Sequence, residues 1–450
     1  MANVNEAIFK AYDIRGVFKE DFNEETAKRV GQAMVLFTKA KTVVVGRDMR
    51  ASSPGLAKAV IEGVTLMGAD VIDIGECSTP VFNYAVAEYD LHDCGIMVTA
   101  SHNPAKYNGF KLSYGDALPI GKGSGMDEIK KLVLEGEFEE QKVGNVVESP
   151  ITDEYIETVF SFIDVEKIKP MKIIIDAGNG MAGPILEKIF KRLPQIEMIS
   201  MYFKPDGTFP HHEANPIKEE NLADLKKKMK EVMPDLGVAY DGDCDRIGFV
   251  DEQGETIPGD FMTALLAKEI LKNNKGAKVH YDLRSSWSVR DTIIEAGGKP
   301  EMCMVGHALI KKLMRETGAV FSGELSSHFY YKDFYTVESG DLTLLFILQL
   351  LSEEGKKMSE LVAPLKKYFH SGEINFEVED KEGMMKKLED MYSEDAKDVS
   401  HLDGIRLEFE DWWFNVRPSN TEPLLRLNLE AKTKEIMEEK RDEISKIISS

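Results

Sequence analysis

Residues 236–246 read LGVAYDGDCDR, an apolar run that passes directly into a loop with three carboxylates. Two other stretches have the same form, GIMVTASHNP at 95–104 and GAVFSGELSSHF at 318–329. Each apolar run has the length and composition of a buried strand. Three unusual polar loops therefore follow predicted strands at three corresponding points of the chain.

Two further strands are predicted before each of these runs, with helical stretches between them. In the three repeats in turn, the first strand is KTVVVGRD at 41–48, MKIIIDAGNG at 171–180 and AKVHYDLRSS at 277–286. The second strand of each repeat lies at 68–76, 195–203 and 298–306, respectively. Strands that alternate with helices predict α/β units with right-handed crossovers, in which ligands gather at the carboxyl ends of the strands. The threefold pattern therefore predicts three topologically similar α/β domains.

The last part of the chain has a different pattern. Strands are predicted at 371–380, 404–411, 412–416 and 424–431, followed by a charged helix near 433–448. This pattern predicts a smaller α+β domain at the C-terminus. We place the four domains at 1–148, 149–253, 254–368 and 369–450.

Composition excludes several classes of function. The 450 residues include 56 Lys and Arg against 78 Asp and Glu, a net charge of −22 that argues against nucleic-acid binding. No apolar run is long enough to span a membrane, and the first residues lack the features of a secretory signal. The scattered cysteines, Cys77, Cys94, Cys244 and Cys303, are expected to be free thiols of a cytoplasmic protein.

The loop TASHNP at 99–104 places Ser101 after an apolar strand, with His102 beside it. A serine at such a turn is a candidate nucleophile that carries phosphate. The alternative is an ordinary turn in which the serine and asparagine side chains bond their own backbone.

The acidic loop has carboxylates at alternating positions, Asp241, Asp243 and Asp245. Three such groups repel one another unless a cation lies between them, and hard carboxylate oxygens suit Mg²⁺. The alternative is a solvated acidic turn. Arg246 follows directly and is placed to neutralise a phosphoryl group during its transfer.

Other polar stretches supply candidate ligands for a sugar phosphate. The loop GELSSH at 323–328 offers a carboxylate, hydroxyls and an imidazole, while RPSNTEP at 417–423 offers a guanidinium, hydroxyls and a turn for phosphate. Either could be an ordinary polar loop or hairpin turn. The segment KAYDIRG at 10–16 is too polar for an obvious core strand, and it brings Tyr12 and Arg15 into consideration. Lys111 and His307 are further candidate acids, bases or phosphate contacts.

These loops, in this order, resemble the α-D-phosphohexomutase family. TASHNP, DGDCDR, GELSSH and RPSNTEP carry the resemblance, which runs over the whole chain. It implies three related α/β domains and a C-terminal domain around a central cleft. It also implies reversible phosphoryl transfer between hexose 1-phosphate and hexose 6-phosphate, through a phosphoserine and a hexose 1,6-bisphosphate that also acts as activator.

The resemblance assigns a role to each candidate. Ser101 becomes the phosphoserine, flanked by His102, and its phosphate binds Mg²⁺ with Asp241, Asp243 and Asp245. The transfer site is implied to include Arg15, Lys111, Arg246 and His307. Substrate contacts are implied for Tyr12, Arg284, Glu324, Ser326, His328, Arg417, Ser419, Asn420 and Thr421.

Finer features favour the mannose and glucose branch of that family. The glucosamine branch usually has Asp where Tyr107 stands and Gln where Leu325 stands. Cys244, Ser327 and Arg284 depart from the usual Gly, Gly and Lys, and the last two concern the sugar side of the site. A glucosamine phosphate mutase, a Mg²⁺ phosphatase with Asp241 as nucleophile and a sugar-phosphate binding protein remain alternatives. We expect a monomer or a homodimer.

Overall fold

The structure is a computed structural model, and it describes residues 4–419 and 424–450. The chain divides into two compact units. Unit 1 comprises Met1–Ile257 and Ser326–Ser359, and unit 2 comprises Pro258–Leu325 and Glu360–Ser450. None of the described helices is long and apolar enough to cross a membrane.

The first part of unit 1 contains a six-stranded sheet in the order β1-β5-β4-β2-β3-β6. Its elements are β1 (Ile14–Val17), α1 (Glu24–Thr38), β2 (Thr42–Arg47), α2 (Ser53–Leu66), β3 (Asp70–Glu76), α3 (Thr79–Glu88), β4 (Cys94–Val98), β5 (Tyr107–Tyr114), α4 (Met126–Glu135) and β6 (Val146–Glu148). Helices α1 and α2 pack closely because each has a glycine at the contact. A Cβ on Gly63 would lie only 2.0 Å from the carbonyl oxygen of Lys28.

The second part of unit 1 contains a five-stranded sheet in the order β11-β10-β9-β7-β8. Its elements are α5 (Thr152–Ser161), β7 (Met171–Asp176), α6 (Ala182–Lys191), β8 (Ile196–Met201), α7 (Ala223–Val232), β9 (Leu236–Tyr240), β10 (Ile247–Asp251) and β11 (Thr256–Ile257). In both sheets the strand before the polar loop, β4 or β9, runs parallel to the first strand of its set.

Unit 2 begins with the third set of strands. Its elements are α8 (Gly259–Leu271), β12 (Lys278–Asp282), α9 (Trp287–Glu295), β13 (Lys299–Cys303), α10 (His307–Thr317) and β14 (Phe321–Gly323). The strands β13 and β14 both pair parallel with β12. The threefold strand pattern predicted from the sequence is therefore confirmed.

The chain then returns to unit 1 before it completes unit 2. Unit 1 gains β15 (Phe329–Tyr331), β16 (Val337–Glu338) and α11 (Gly340–Glu354), and α12 (Met358–Val362) follows. The last elements are β17 (Phe369–His370), β18 (Ile374–Glu377), α13 (Lys381–Tyr392), β19 (Asp398–Ser400), β20 (Ile405–Glu408), β21 (Trp412–Pro418), β22 (Leu424–Ala431) and α14 (Lys434–Ile448). These strands form an antiparallel sheet whose apolar face packs on α13 and α14. The predicted α+β arrangement at the C-terminus is confirmed.

The N-terminal segment contributes a short edge strand. The segment 10–16 is too polar for an obvious core strand, and only its last residues enter the sheet, where Ile14–Val17 forms the edge strand β1 and pairs antiparallel with β5. Ile14 belongs to the hydrophobic core, while Arg15, on the opposite face of the strand, is half-buried. An edge strand needs only one apolar face, so a charged residue is tolerated on the other.

Candidate active site

Ser101 lies in the turn that follows β4, with a positive φ of 51°. Its side chain is nearly covered, and its Oγ donates to Oδ2 of Asp241 at 3.0 Å. The Nδ1 atom of His102 lies 3.1 Å from the same Oγ. The backbone N–H of Ser101 donates to the hydroxyl of Thr99 at 2.9 Å. The predicted nucleophile is thus held beside the predicted metal loop.

Arg50 fixes the serine loop through hydrogen bonds to its backbone, a role that we did not predict from the sequence. Its side chain is fully buried and bonds the carboxylate of Asp48. Its two terminal nitrogens donate to four backbone carbonyls at 2.5–3.0 Å, those of Ser101, Asn103, Pro104 and Tyr107. One guanidinium therefore fixes the path of the loop on both sides of the serine.

The three acidic residues converge as predicted. One carboxylate oxygen from each of Asp241, Asp243 and Asp245 lies within 4.8 Å of the others, and all three side chains are buried. Oδ1 of Asp243 has no hydrogen-bond partner among the described residues. Burial and the two neighbouring carboxylates raise the pKa of Asp241 well above its usual range. A cation is what would let all three ionise together, so these residues fit a divalent metal.

A lysine and two threonines hold Asp243 from the side of the first sheet. Nζ of Lys111, on β5, lies 2.6 Å from Oδ2 of Asp243 and 2.6 Å from Oδ2 of Asp245. The hydroxyls of Thr79 and Thr99 donate to Oδ2 of Asp243 at 2.6 and 3.3 Å. Burial works against the charge of Lys111, but the two carboxylates outweigh it and raise its pKa. The lysine therefore remains a cation at this site.

Arg15 and His102 complete this side of the site. Arg15 donates to Oδ1 of Asn103 at 2.7 Å and pairs with Asp13. Burial, with Arg246 and Arg15 nearby, lowers the pKa of His102 well below its usual value. His102 is therefore neutral near pH 7, and its ring can accept one hydrogen bond and donate another. Tyr12 lies half-buried just before β1.

Arg246, Ser326 and His328 form a connected set in unit 1. Nε of Arg246 lies 3.3 Å from Nε2 of His328, and the same Nε2 lies 3.3 Å from Oδ1 of Asp245. Nδ1 of His328 lies 3.0 Å from the hydroxyl of Ser326. Nε of Arg246 is also 3.8 Å from Oδ2 of Asp241. Unit 1 therefore brings together nine candidates from five loops and strands, namely Arg15, Ser101, His102, Lys111, Asp241, Asp243, Asp245, Arg246 and His328, with Ser326 bonded to the last.

The other candidates lie in unit 2. Arg284 follows β12, and Nη2 of its guanidinium donates to Oδ2 of Asp282 at 2.7 Å. Glu324 is buried and accepts from the backbone N–H of Gly306 at 3.0 Å. His307 is the first residue of α10 and is half-buried.

The guanidinium group of Arg417 lies in a cluster of charged side chains within unit 2. Its Nη2 lies 3.2 Å from Oε2 of Glu373, and Arg426 lies 3.3 Å from Oε1 of the same carboxylate. Arg284 approaches Glu373 at 3.9 Å. Asp282, paired with Arg284, and Asp403, 3.9 Å from Arg417, bring the cluster to three guanidinium groups and three carboxylates. The forked donors of the guanidinium groups still suit a phosphate ligand. Ser419 follows β21 in the described chain, whereas Asn420 and Thr421 lie outside the described residues.

A repeated pairing links the missed residue Arg50 to the predicted residue Arg284. At the end of the first strand of each set, an aspartate accepts from the backbone N–H two residues later. The pairs are Asp48 and Arg50 at 3.0 Å, Asp176 and Gly178 at 2.8 Å, and Asp282 and Arg284 at 2.8 Å. The Asp-x-Arg spacing in GRDMR and YDLR was the sequence signal that could have identified Arg50. Glu373 and Thr79 carry no comparable signal.

Comparison with known protein families covers nearly the whole chain. Models described as phosphoglucomutase/phosphomannomutase alpha/beta/alpha domains I, II and III match residues 6–140, 153–254 and 258–368. The model of the C-terminal domain of the same family matches residues 373–447.

Individual relatives agree with this result. The chain is 41% identical to a phosphomannomutase of Vibrio cholerae, over 98% of both chains. It is also 41% identical to a phosphomannomutase of Methanocaldococcus jannaschii, over 98% of this chain and 97% of the relative. A crystal structure of a phosphoglucomutase/phosphomannomutase family protein from Burkholderia thailandensis matches with a TM-score of 0.90 and 33% identity, over 99% of this chain and 97% of that one.

Proposed function

The chain belongs to the phosphoglucomutase/phosphomannomutase family, and we propose that Ser101 carries the phosphoryl group in its hexose phosphate mutase reaction. The enzyme is an isomerase. One observation carries the assignment of the serine: its Oγ lies 3.0 Å from Oδ2 of Asp241, in the buried set of three carboxylates. A hydroxyl so close to a metal-binding set is placed to bear a phosphate that shares the cation.

We propose that the cation is Mg²⁺, held by Asp241, Asp243, Asp245 and the phosphate on Ser101. When bound, Mg²⁺ would offset negative charge on the phosphoryl group during transfer. The described residues supply further positive charge. Lys111 lies against Asp243 and Asp245, Arg246 against Asp241, and Arg15 against the serine loop through Asn103.

The reaction is proposed to run in two transfers. The free hydroxyl of a hexose monophosphate attacks the phosphorus on Ser101, so that the bond to Oγ breaks as the new P–O bond forms. The product is a hexose 1,6-bisphosphate, which turns end over end before its other phosphate returns to Ser101. The same bisphosphate would phosphorylate resting enzyme and so act as activator.

Substrate contacts are proposed from the remaining candidates. Arg417, Arg284 and Ser419 would bind the phosphate that is not transferred, since both guanidinium groups converge near Glu373 and their forked donors suit a phosphate. Asn420 and Thr421 are assigned to the same group from the sequence alone. Glu324, Ser326 and His328 would contact sugar hydroxyls, and Tyr12 and His307 complete the proposed set.

Mannose and glucose phosphates are the proposed substrates, because relatives at about 40% identity are named phosphomannomutases. The test is a coupled assay of mannose, glucose and glucosamine 1-phosphates with a catalytic amount of the matching 1,6-bisphosphate. We expect turnover of the first two and little of the third. Preferred turnover of glucosamine phosphate would reassign the substrate, and release of inorganic phosphate without isomerisation would favour a phosphatase.

Several broader features are proposals of the same kind. We propose the four domain boundaries at 1–148, 149–253, 254–368 and 369–450. A cytoplasmic location and a monomeric or homodimeric state are likewise proposed. The proposed binding partner is a phosphorylated hexose.

A further inference from the structure

Cys244 stands between two of the proposed metal ligands in an unusual backbone conformation. Its φ is +70°, a region that favours glycine and that residues with a Cβ rarely adopt. Its side chain is fully buried. A residue of this kind persists in such a conformation when surrounding contacts determine it.

The thiol of Cys244 points away from the carboxylates and toward helix α11. Its Sγ lies 3.8 Å from Oδ1 of Asp341, within the range of a thiol hydrogen bond, and the carboxylate of Asp341 is fully buried. The other oxygen of Asp341 accepts from the hydroxyl of Tyr155 at 2.8 Å. The carboxylate thus has one donor on each oxygen, and the thiol is one of the two.

The start of α11 is pressed directly against the metal loop. A Cβ on Gly340 would lie 2.8 Å from Cε1 of Tyr240 and 3.1 Å from the carbonyl oxygen of Cys244. On the opposite side, the backbone N–H of Thr79 donates to the carbonyl of Asp243 at 2.9 Å. The loop is therefore held from two sides, and Cys244 provides its side-chain link to α11.

We propose that Cys244 is a positioning residue for the metal-binding loop, with its thiol bonded to Asp341 so that Asp243 and Asp245 reach a common cation. This inference rests on the proposed metal site. In this turn the carboxylates of Asp243 and Asp245 both meet Nζ of Lys111 at 2.6 Å, whereas the thiol of Cys244 meets Asp341. Without the bond, the strained turn has no side-chain anchor and the carboxylates lose their fixed separation.

The test measures Mn²⁺ affinity of the folded protein by calorimetry, without turnover. We expect Cys244→Ala to bind Mn²⁺ about 10-fold more weakly, as is typical when support of metal ligands is lost. Cys244→Ser keeps a donor and should recover most of the affinity. Cys94→Ala is the matched control, because Cys94 is also buried and bonded to one hydroxyl, that of Thr38, but contacts none of the ligands.

Cys244→Gly tests whether the anchor matters because the turn is strained. Glycine, the usual residue of the family at this position, removes the thiol and the backbone strain together, so this variant should bind Mn²⁺ more tightly than Cys244→Ala. Wild-type affinity in the alanine variant, or weaker binding by the glycine variant than by the alanine variant, would overturn the inference. If the alanine variant does not fold, Asp341→Asn serves in its place, with about 10-fold weaker binding expected and unchanged affinity counting against the proposal.

The outcome also distinguishes this inference from the metal site itself. Wild-type protein that binds no Mn²⁺ removes the metal site and the role of Cys244 together. Wild-type protein that binds Mn²⁺, with Cys244→Ala equal to it, leaves the metal site and removes only the positioning role. If the two residues act through one bond, the double variant Cys244→Ala, Asp341→Asn should bind Mn²⁺ as tightly as whichever single variant has the lower Mn²⁺ affinity. Additive losses would contradict a shared bond.

Discussion

Oγ of Ser101 donates to Oδ2 of Asp241 at 3.0 Å although 140 residues separate the two along the chain. The contact joins the loops after β4 and β9, which belong to different sheets of unit 1. Since both loops follow the third strand of their set, equivalent positions in two sheets contribute a nucleophile and an acidic group to one place. The duplicated strand pattern thus produces a site that neither sheet could form alone.

The first prediction concerns the nucleophile. Ser101→Ala should lower kcat by several orders of magnitude, because no hydroxyl remains to accept the phosphoryl group. The coupled mutase assay measures the loss, and intact mass after treatment with hexose 1,6-bisphosphate should show no added phosphoryl group. Ser161→Ala, on the exposed end of α5, is the control and should keep both properties. Near-normal turnover in the Ser101 variant would reject this serine as the carrier.

The second prediction concerns the metal. Excess chelator should abolish turnover, and added Mg²⁺ should restore it. Asp243→Asn removes one negative ligand and should lower kcat at least 10-fold at saturating Mg²⁺. Asp395→Asn, at an exposed position in unit 2, should behave as wild type. Full activity in excess chelator would dismiss the metal.

The polar loops could be predicted from the sequence because each follows an apolar strand without interruption. This arrangement of an apolar strand and a polar loop identified Ser101, the three aspartates and Glu324 as candidates from the sequence alone. The contacts of Arg50 and Glu373 depend on chain segments that are distant in sequence. Arg50 bonds carbonyls more than 50 residues away, and Glu373 meets Arg417 across a sheet. The Asp-x-Arg spacing marks Arg50 as a residue at the end of a strand but does not show which carbonyls it bonds, and Glu373 has no local pattern that marks its role.

The sequence pattern also did not predict the direction of the strands that follow the serine and aspartate loops. The stretches after the serine and aspartate loops form β5 and β10, which run antiparallel to β4 and β9. A strand that returns through a short loop must run antiparallel to the one before it. The polar residues Asn108, Lys111 and Ser113 interrupt the apolar pattern of β5. For this reason the sequence did not predict a buried strand there. Lys111 reaches the aspartates because of that strand.

The third prediction concerns the phosphate-binding arginine. Arg417→Ala should raise KM for the sugar phosphate about 10- to 100-fold, because a charge-assisted hydrogen bond contributes about 1.5–3 kcal/mol. Steady-state kinetics with mannose and glucose 1-phosphates give the values. Arg441→Ala alters a partly exposed arginine of α14, paired with Asp442, and should leave KM unchanged. Unchanged KM for both sugars in the Arg417 variant would exclude this role.

The fourth prediction concerns pH and stability in unit 2. His280 is buried on β12 with Thr317 at 3.0 Å, and burial lowers its pKa to about 4. Between pH 6.5 and 4 the unfolded chain binds a proton that the folded chain does not, so this group makes stability fall as the pH falls. At pH 5 the loss is about 2 kcal/mol relative to pH 7.

His280→Gln should therefore lose about 2 kcal/mol less unfolding free energy than wild type between pH 7 and pH 5. Urea denaturation at the two pH values measures the difference. Glu301 and Lys278 are the charged groups near the imidazole, and they are retained in the variant. His401→Gln, on the exposed face of unit 2, should keep the wild-type pH dependence. An equal pH dependence in the His280 variant would show that this histidine is not responsible.

The fifth prediction concerns Arg50, whose guanidinium joins four carbonyls of the serine loop to Asp48. A lysine keeps the charge but has one ammonium group with three donors, so Arg50→Lys leaves at least one of those carbonyls without its partner. We expect kcat to fall at least 10-fold while KM for the sugar phosphate changes little, because displacement of a reacting group by about 1 Å is costly to rate. Phosphorylation of Ser101 by the bisphosphate should slow by a similar factor.

Arg29→Lys is the matched control for that substitution. Arg29 also donates to three backbone carbonyls, those of Leu132, Val133 and Gly136, but these lie in α4 and the loop after it, away from the serine. Both lysine variants should lose stability, since one ammonium group cannot reproduce the forked geometry by which a guanidinium reaches several carbonyls. Only the Arg50 variant should lose turnover. If both variants lose stability and neither loses turnover, Arg50 supports the fold but does not position Ser101.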